Sequence, residues 1–175
     1  KLLDCSPISD GAAAVVITSD ENIKVKKPVY ITASEVATDT LSLHDRKSFT
    51  SLSAVINAST KAYKKAGIKP SDVDVCEIHD CFSISEAIAT EDLGFSKKGE
   101  GAKDIAKGKR TLFKGNIICN SSGGLKACGH PVGATGIKQI VEITEQLRGE
   151  AGKRQVEKVK IGLTHNVGGS GTVAV

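Results

Sequence analysis

Apolar residues along this chain switch between two periods. Leu52, Val55, Ile56, Ala62, Tyr63 and Ala66 fall on one side of a helical turn, which predicts a helix over 51–66 stopped by Gly67. Pro70 and Ser71 then make a turn, and 73–78 has strand composition, delivering His79 at its C-terminal end. Ser83 and Glu86 have capping-box spacing, so a second helix starts just after Phe82, burying Ile84, Ala87, Ile88 and Leu93. A third helix, from about Ala134, carries Ile137, Ile140, Val141, Thr144 and Leu147 on its apolar side. Val159, Ile161 and Leu163 alternate with Lys160, Gly162 and Thr164, the period of a strand. His165-Asn166-Val167-Gly168-Gly169 then joins it, as a tight loop, to an antiparallel partner over 172–175.

The remaining segments are less regular. Residues 11–18 form a short apolar run that suits a small-residue turn or a helix leading into a buried strand. The charged stretch 20–27 reads as a linker ending at Pro28, followed by strand-like 29–33. Segment 94–115 reads as a long surface loop, and 116–120 as a short extended piece before a glycine-rich turn. Strands alternating with helices predict a mixed five-stranded α/β sheet with helices on both faces. No internal repeat is present, and Pro28 marks the only candidate boundary, between 1–27 and 28–175.

Composition narrows the class. A chain of 175 residues, 39% apolar and 25% charged, is large enough for a real core and reads as soluble and globular. No run is apolar enough to span a membrane, and no signal-peptide core is visible at the start. Five irregularly spaced cysteines argue against a disulfide framework and for a reducing, cytoplasmic setting. The absence of methionine reads as a fragment or a processed piece. Net charge is +4, with basic clusters at Lys24, Lys26 and Lys27 and again over 103–110. A solvated face explains them, with an anionic-ligand patch as the alternative. Aromatics at 3% leave few side chains for stacking on nucleic-acid bases.

Candidate chemistry sits at segment ends. Cys81 follows a strand and precedes a helix start, where unpaired amides favour a thiolate. His79 is two residues away, so the two face one pocket if the strand continues. Asp80 points the other way and reads as an anchor for the loop. His130, between Gly129 and Pro131, is presented rigidly at a helix N-terminus. The glycines after His165 let backbone amides converge on an anion. His44 reads as a surface residue. Gly129, Gly133 and Gly136 lack the spacing of a dinucleotide fingerprint, and no phosphate-binding Gly-Lys-Ser/Thr is present. A zinc site drawn from Cys76, His79, Cys81 and Cys128 lacks paired Cys-x-x-Cys spacing.

Three stretches in order carry a resemblance: His79-Asp80-Cys81-Phe82, then 123–136 with its Gly129-His130-Pro131 turn, then 165–171. Together they resemble the C-terminal half of a thiolase, in the branch related to sterol-carrier-protein and archaeal thiolases. The resemblance implies a thiolase-like C-terminal domain over 28–175, preceded by the tail of an N-terminal domain over 1–27. It implies that His130 activates a nucleophilic cysteine and helps hold the thioester oxygen. It also makes Cys81 the acid/base, His79 an oxyanion-hole donor, and the Val167 amide, beside His165 and Gly168, a donor for the acyl-enzyme oxyanion. Ser6 matches a position touching the pantetheine arm of coenzyme A. The implied reaction is Claisen condensation of acetyl-CoA, or thiolysis of a 3-ketoacyl-CoA, within lipid or mevalonate metabolism. Coenzyme A is then a substrate, and no metal or redox cofactor is implied. The family's nucleophile lies in the first half, and no cysteine here has that context, so the chain alone is expected to be inactive. Implied partners are copies of the full-length protein and a hydroxymethylglutaryl-CoA synthase. A non-catalytic acyl-CoA-binding or scaffold module is the alternative.

Overall fold

The buried strand at the centre of the chain organises everything around it. The computed structural model describes residues 1–20, 22, 24–110 and 115–169, and the backbone of 172–174. Five α-helices lie among them: α1 (Ser53–Ala66), α2 (Ser83–Asp92), α3 (Gly101–Ala106), α4 (Gly124–Cys128) and α5 (Thr135–Arg148). The strands are β1 (Val36–Thr38), β2 (Val75–Ile78), β3 (Ile118–Cys119), β4 (Gly162–Gly168) and β5 (Thr172–Ala174). They hydrogen-bond in the order β1-β5-β4-β2-β3. Pairs β2–β3 and β2–β4 are parallel, whereas β4–β5 and β1–β5 are antiparallel. The architecture is α/β, with parallel strands joined through helices.

All four residues of β2 are buried, so each sheet face needs its own cover. Cys76 and Ile78 join an apolar cluster with Val55 and Ala58 of α1, Ala89 of α2 and Leu163 of β4. Tyr63 closes that layer by donating its hydroxyl to the Leu93 carbonyl at 2.9 Å. Glu77, alternating to the other face, meets a polar layer under α5. Its carboxylate accepts from the Ser122 amide and hydroxyl at 3.1 and 2.6 Å. Ser121 donates to Glu142 of α5 at 3.1 Å, and Arg154 pairs with the same carboxylate at 2.9 Å.

Several elements differ from the sequence pattern. The apolar stripe of α5 is not its buried face: Gln139, Glu142, Ile143 and Gln146 are. The reason is the polar underside of the sheet, where Glu77 and Ser121 require partners that a hydrocarbon stripe would deny them. Ile56 and Ile84 are 42% and 64% exposed, so neither belongs to the apolar side of its helix. No strand forms over 29–33; Tyr30 is 78% exposed, and pairing falls instead to Val36–Thr38, opposite Thr172–Ala174. Residues 11–18 adopt no regular element. Segment 94–115 contains α3, and the glycine-rich turn contains α4. The cap at Ser83 is absent: Phe82 is the N-cap residue, and the Ser83 hydroxyl donates to Asp4 at 3.0 Å. Ser170, Gly171 and Val175 of the expected hairpin lie outside the described residues.

Helix α5 approaches β4 closely at one glycine. A Cβ on Gly162 would stand 2.4 Å from Cγ2 of Ile143. That methyl branches from Cβ of a helical residue, whose χ1 is stiff. Gly162→Ala is expected to cost about 1–3 kcal/mol, read as a lower urea midpoint at unchanged slope. An unchanged midpoint would mean that α5 shifts freely.

Candidate active site

Strand β2 ends at Ile78, and the chain turns through His79, Asp80 and Cys81 before α2 begins. Asp80 fixes that turn. It is 3% exposed, and its carboxylate accepts from the Leu125 and Lys126 amides of α4 at 2.6 and 3.4 Å. Gly124 is what permits the approach: its φ is +66°, and a Cβ there would lie 2.4 Å from Asp80 Oδ2. Helix α4 runs directly into Gly129-His130-Pro131. Asp80 therefore clamps the His79 turn to the segment that carries His130, which is the anchoring role its position suggested.

The clamp brings two imidazoles together. The His79 and His130 ring centroids are 4.8 Å apart, with the planes at 88°. His79 Nδ1 hydrogen-bonds Asn166 Oδ1 at 3.1 Å, and His130 Nδ1 bonds the Thr135 hydroxyl at 2.7 Å. Burial holds both rings below the ordinary imidazole pKa. For His79 the Asn166 bond pulls upward against burial, and the His130 charge pushes down again. Both are therefore neutral near pH 7.

His165 is a different case. It lies inside β4, opposite Ile78, rather than in a loop. The ladder continues through it because β4 is flanked by β2 on one side and β5 on the other. The residue is 1% exposed, neither ring nitrogen has a hydrogen-bond partner among the described residues, and burial pulls its pKa down to about 3.

One cavity of about 1060 Å³ is lined by Ser6, His79, Cys81, His130, His165, Val167 and Gly168. Every residue singled out from the sequence as a site residue thus borders the same space. Cys5 borders it too. The segment from Cys5 to Gly11 straps the two loops: the Ser6 amide donates to the Cys81 carbonyl at 2.9 Å, Ser9 lies over Gly129 and Gly11 over Pro131. Apolar side chains such as Phe49, Ile88 and Val132 line much of the remaining wall, as a site for an organic ligand requires. Asn166 and Thr135 are neighbours of the two histidines that sequence reasoning missed, and of the strap it singled out Ser6 alone. For Asn166 the signal was its adjacency to His165.

Other candidates are dispersed. Among the described residues no three His, Cys, Asp or Glu gather as a metal site. Cys76, one of the residues weighed for a zinc site, is buried in the apolar core with Val55 and Ala58 of α1. Lys103, Lys109 and Arg110 are spent locally, on Glu100 and on Asp104 twice. No helix among the described residues is long and apolar enough to cross a membrane.

A family model described as thiolase C-terminal domain-like matches residues 35–175. The chain belongs to that thiolase family. An acetyl-CoA acetyltransferase of Methanothermobacter thermautotrophicus is 53% identical over 99% of this chain and 46% of its own length. The enzyme of the same name from Methanocaldococcus jannaschii is 52% identical over 98% and 46%. Sterol carrier protein 2 of Bos taurus is 44% identical over 99% of this chain and 33% of its own. This thiolase domain therefore spans less than half the length of those relatives. Among solved structures, the Ltp2-ChsH2(DUF35) aldolase superposes with a TM-score of 0.73 at 23% identity, over 85% of this chain and 39% of that one. That likeness concerns the fold alone.

Proposed function

We propose that this thiolase domain supplies the acid/base and oxyanion-binding half of an acetyl-CoA C-acyltransferase. The observation that carries the reading is the edge contact of His79 and His130 in a cavity that Cys81 also lines. Cys81, as thiolate, takes a proton from the α-carbon of acetyl-CoA. His79 and His130 hydrogen-bond the oxygen of the enolate so formed. The enolate carbon attacks a thioester carbonyl held on a cysteine outside these residues, with the Val167 amide, beside His165 and Gly168, donating to the tetrahedral oxyanion. That cysteine leaves as thiolate, and 3-ketoacyl-CoA is released. Thiolysis is the reverse. Ser6 touches the pantetheine arm, coenzyme A is the substrate, and the chemistry calls on no metal or redox cofactor.

The same reading takes 1–27 as the end of a preceding thiolase domain and 28–175 as the second. It places the protein in the cytoplasm, as a homo-oligomer when full-length, with a hydroxymethylglutaryl-CoA synthase as a partner. The names of relatives such as non-specific lipid-transfer protein-like 2 favour a second reading, a domain that holds acyl-CoA without chemistry.

The test is complementation. The 175-residue chain is expected to make no acetoacetyl-CoA from acetyl-CoA, and fusion to the upstream half of an archaeal relative is expected to restore turnover. A silent fusion that still binds acetyl-CoA would favour the second reading. Turnover by the chain alone would overturn the division of labour.

A further inference from the structure

Three hydrogen bonds beneath the cavity determine which nitrogen of His79 carries its proton. The chain of bonds starts at the His165 carbonyl, which only accepts. Gln139 Nε2 faces that carbonyl at 3.3 Å, so it donates there. Gln139 Oε1 is thereby turned the other way, toward Asn166, and the Asn166 Nδ2 donates to it. Asn166 Oδ1 is then left as the group facing His79 Nδ1 at 3.1 Å. A carbonyl oxygen has no proton to give, so His79 Nδ1 must be the donor. Gln139 is 1% exposed, so no water competes for its amide.

We infer that Gln139 and Asn166 are positioning residues that hold neutral His79 as the Nδ1–H tautomer, with a bare, proton-accepting Nε2.

This deepens the proposed function and rests on it for its consequence. A neutral His79 in this tautomer cannot donate to an enolate oxygen. It becomes a donor only after Nε2 gains a proton, and the thiol of Cys81 lines the same cavity. The S–H bond breaks, an Nε2–H bond forms, and a neutral pair becomes thiolate and imidazolium. A single proton transfer then produces both the α-carbon base and the oxyanion donor. The charged and titratable groups facing His79 are His130, Asp80 and His165. Asp80 is the one that favours the imidazolium.

The tautomer can be read without any turnover, so failure here is separate from failure of the acyltransferase reading. Two-bond proton–nitrogen NMR correlations on the 175-residue chain at pH 7 are expected to show His79 Nδ1 protonated and Nε2 bare. The preference should be at least about tenfold, equivalent to about 1.4 kcal/mol. Gln139→Glu keeps an acceptor for Asn166 and should retain the pattern. Gln139→Leu frees Asn166 to rotate, and Asn166→Ala removes the acceptor; each should erase the preference. A purely structural role would not move the tautomer. Protonated Nε2 in the unaltered chain, or the same single tautomer in both relay-breaking variants, would overturn the inference.

Discussion

Replacing His165 with leucine is expected to make the fold markedly more resistant to acid. An unfolded histidine takes a proton near pH 6.5, whereas burial holds the folded His165 neutral down to about 3. Between those values the unfolded chain binds the extra proton. The stability from this residue is therefore complete above 6.5 and is lost as pH falls toward 3. The gap between those two values, at about 1.4 kcal/mol per unit, amounts to about 5 kcal/mol. That rivals the whole stability of a marginal domain. Between pH 7 and pH 4.5 the unaltered chain should lose about 2.5 kcal/mol that His165→Leu keeps. Glu86 works in the opposite sense: burial, then the Asp80 charge, pushes its pKa up to about 7, so its contribution fades as pH rises through that value. Glu86 and the other carboxylates titrate in both proteins, so their effect cancels in the difference between variant and parent. Urea midpoints at both pH values give that difference directly, and equal losses in the two proteins would refute the assignment. At pH 7 the leucine variant should be no less stable. It removes two buried nitrogens that have no partner among the described residues.

The same residue shows why part of the site was readable and part was not. His79, Cys81 and His130 stand out because each lies next to a break in period, where a strand stops or a helix starts. Strand β2 and helix α1 were legible for a related reason. One has strand composition between turn signals, and the other repeats with the helical period. His165 looked like a loop residue because the glycines that follow it suggest a turn. The ladder to Ile78 that keeps it in β4 is a tertiary fact. The relay beneath His79 is less visible still. Gln139 and Asn166 are 27 positions apart, and Asn166 and His79 are 87 apart. A period-based reading of α5 chose Ile137, Ile140, Val141, Thr144 and Leu147 as its inner face. The glutamines that hold the site turn inward because the sheet beneath them is polar. Strand-like composition at 29–33 misled for the converse reason: propensity is local, but pairing requires a neighbour, and β5 offers its edge to Val36–Thr38.

In the full-length protein, Cys81→Ala is expected to lower acetyl-CoA condensation by about 10²–10⁴-fold, the usual contribution of a positioned acid/base. The side chain is half-buried, and alanine leaves the Ser6–Cys81 backbone bond in place. Thermal unfolding should therefore change little, and the loss should appear in kcat rather than in acetyl-CoA binding. His130→Ala should cost about 10²–10³-fold, as removal of an oxyanion donor does. The two losses should not multiply. If thiolate and imidazoles act on one transition state, the double variant falls little below the weaker single variant. Multiplicative losses would separate the two residues into different steps. The pH profile supplies an independent arm. His79 and His130 are both held below the ordinary imidazole value, chiefly by burial. The acid limb of kcat/KM should therefore lie below pH 6.5, because the neutral rings persist to lower pH than a free imidazole would. A Cys81→Ala enzyme turning over within tenfold of the parent would remove the thiol from the chemistry. The paired histidines would then remain as a binding site for a thioester oxygen and nothing more.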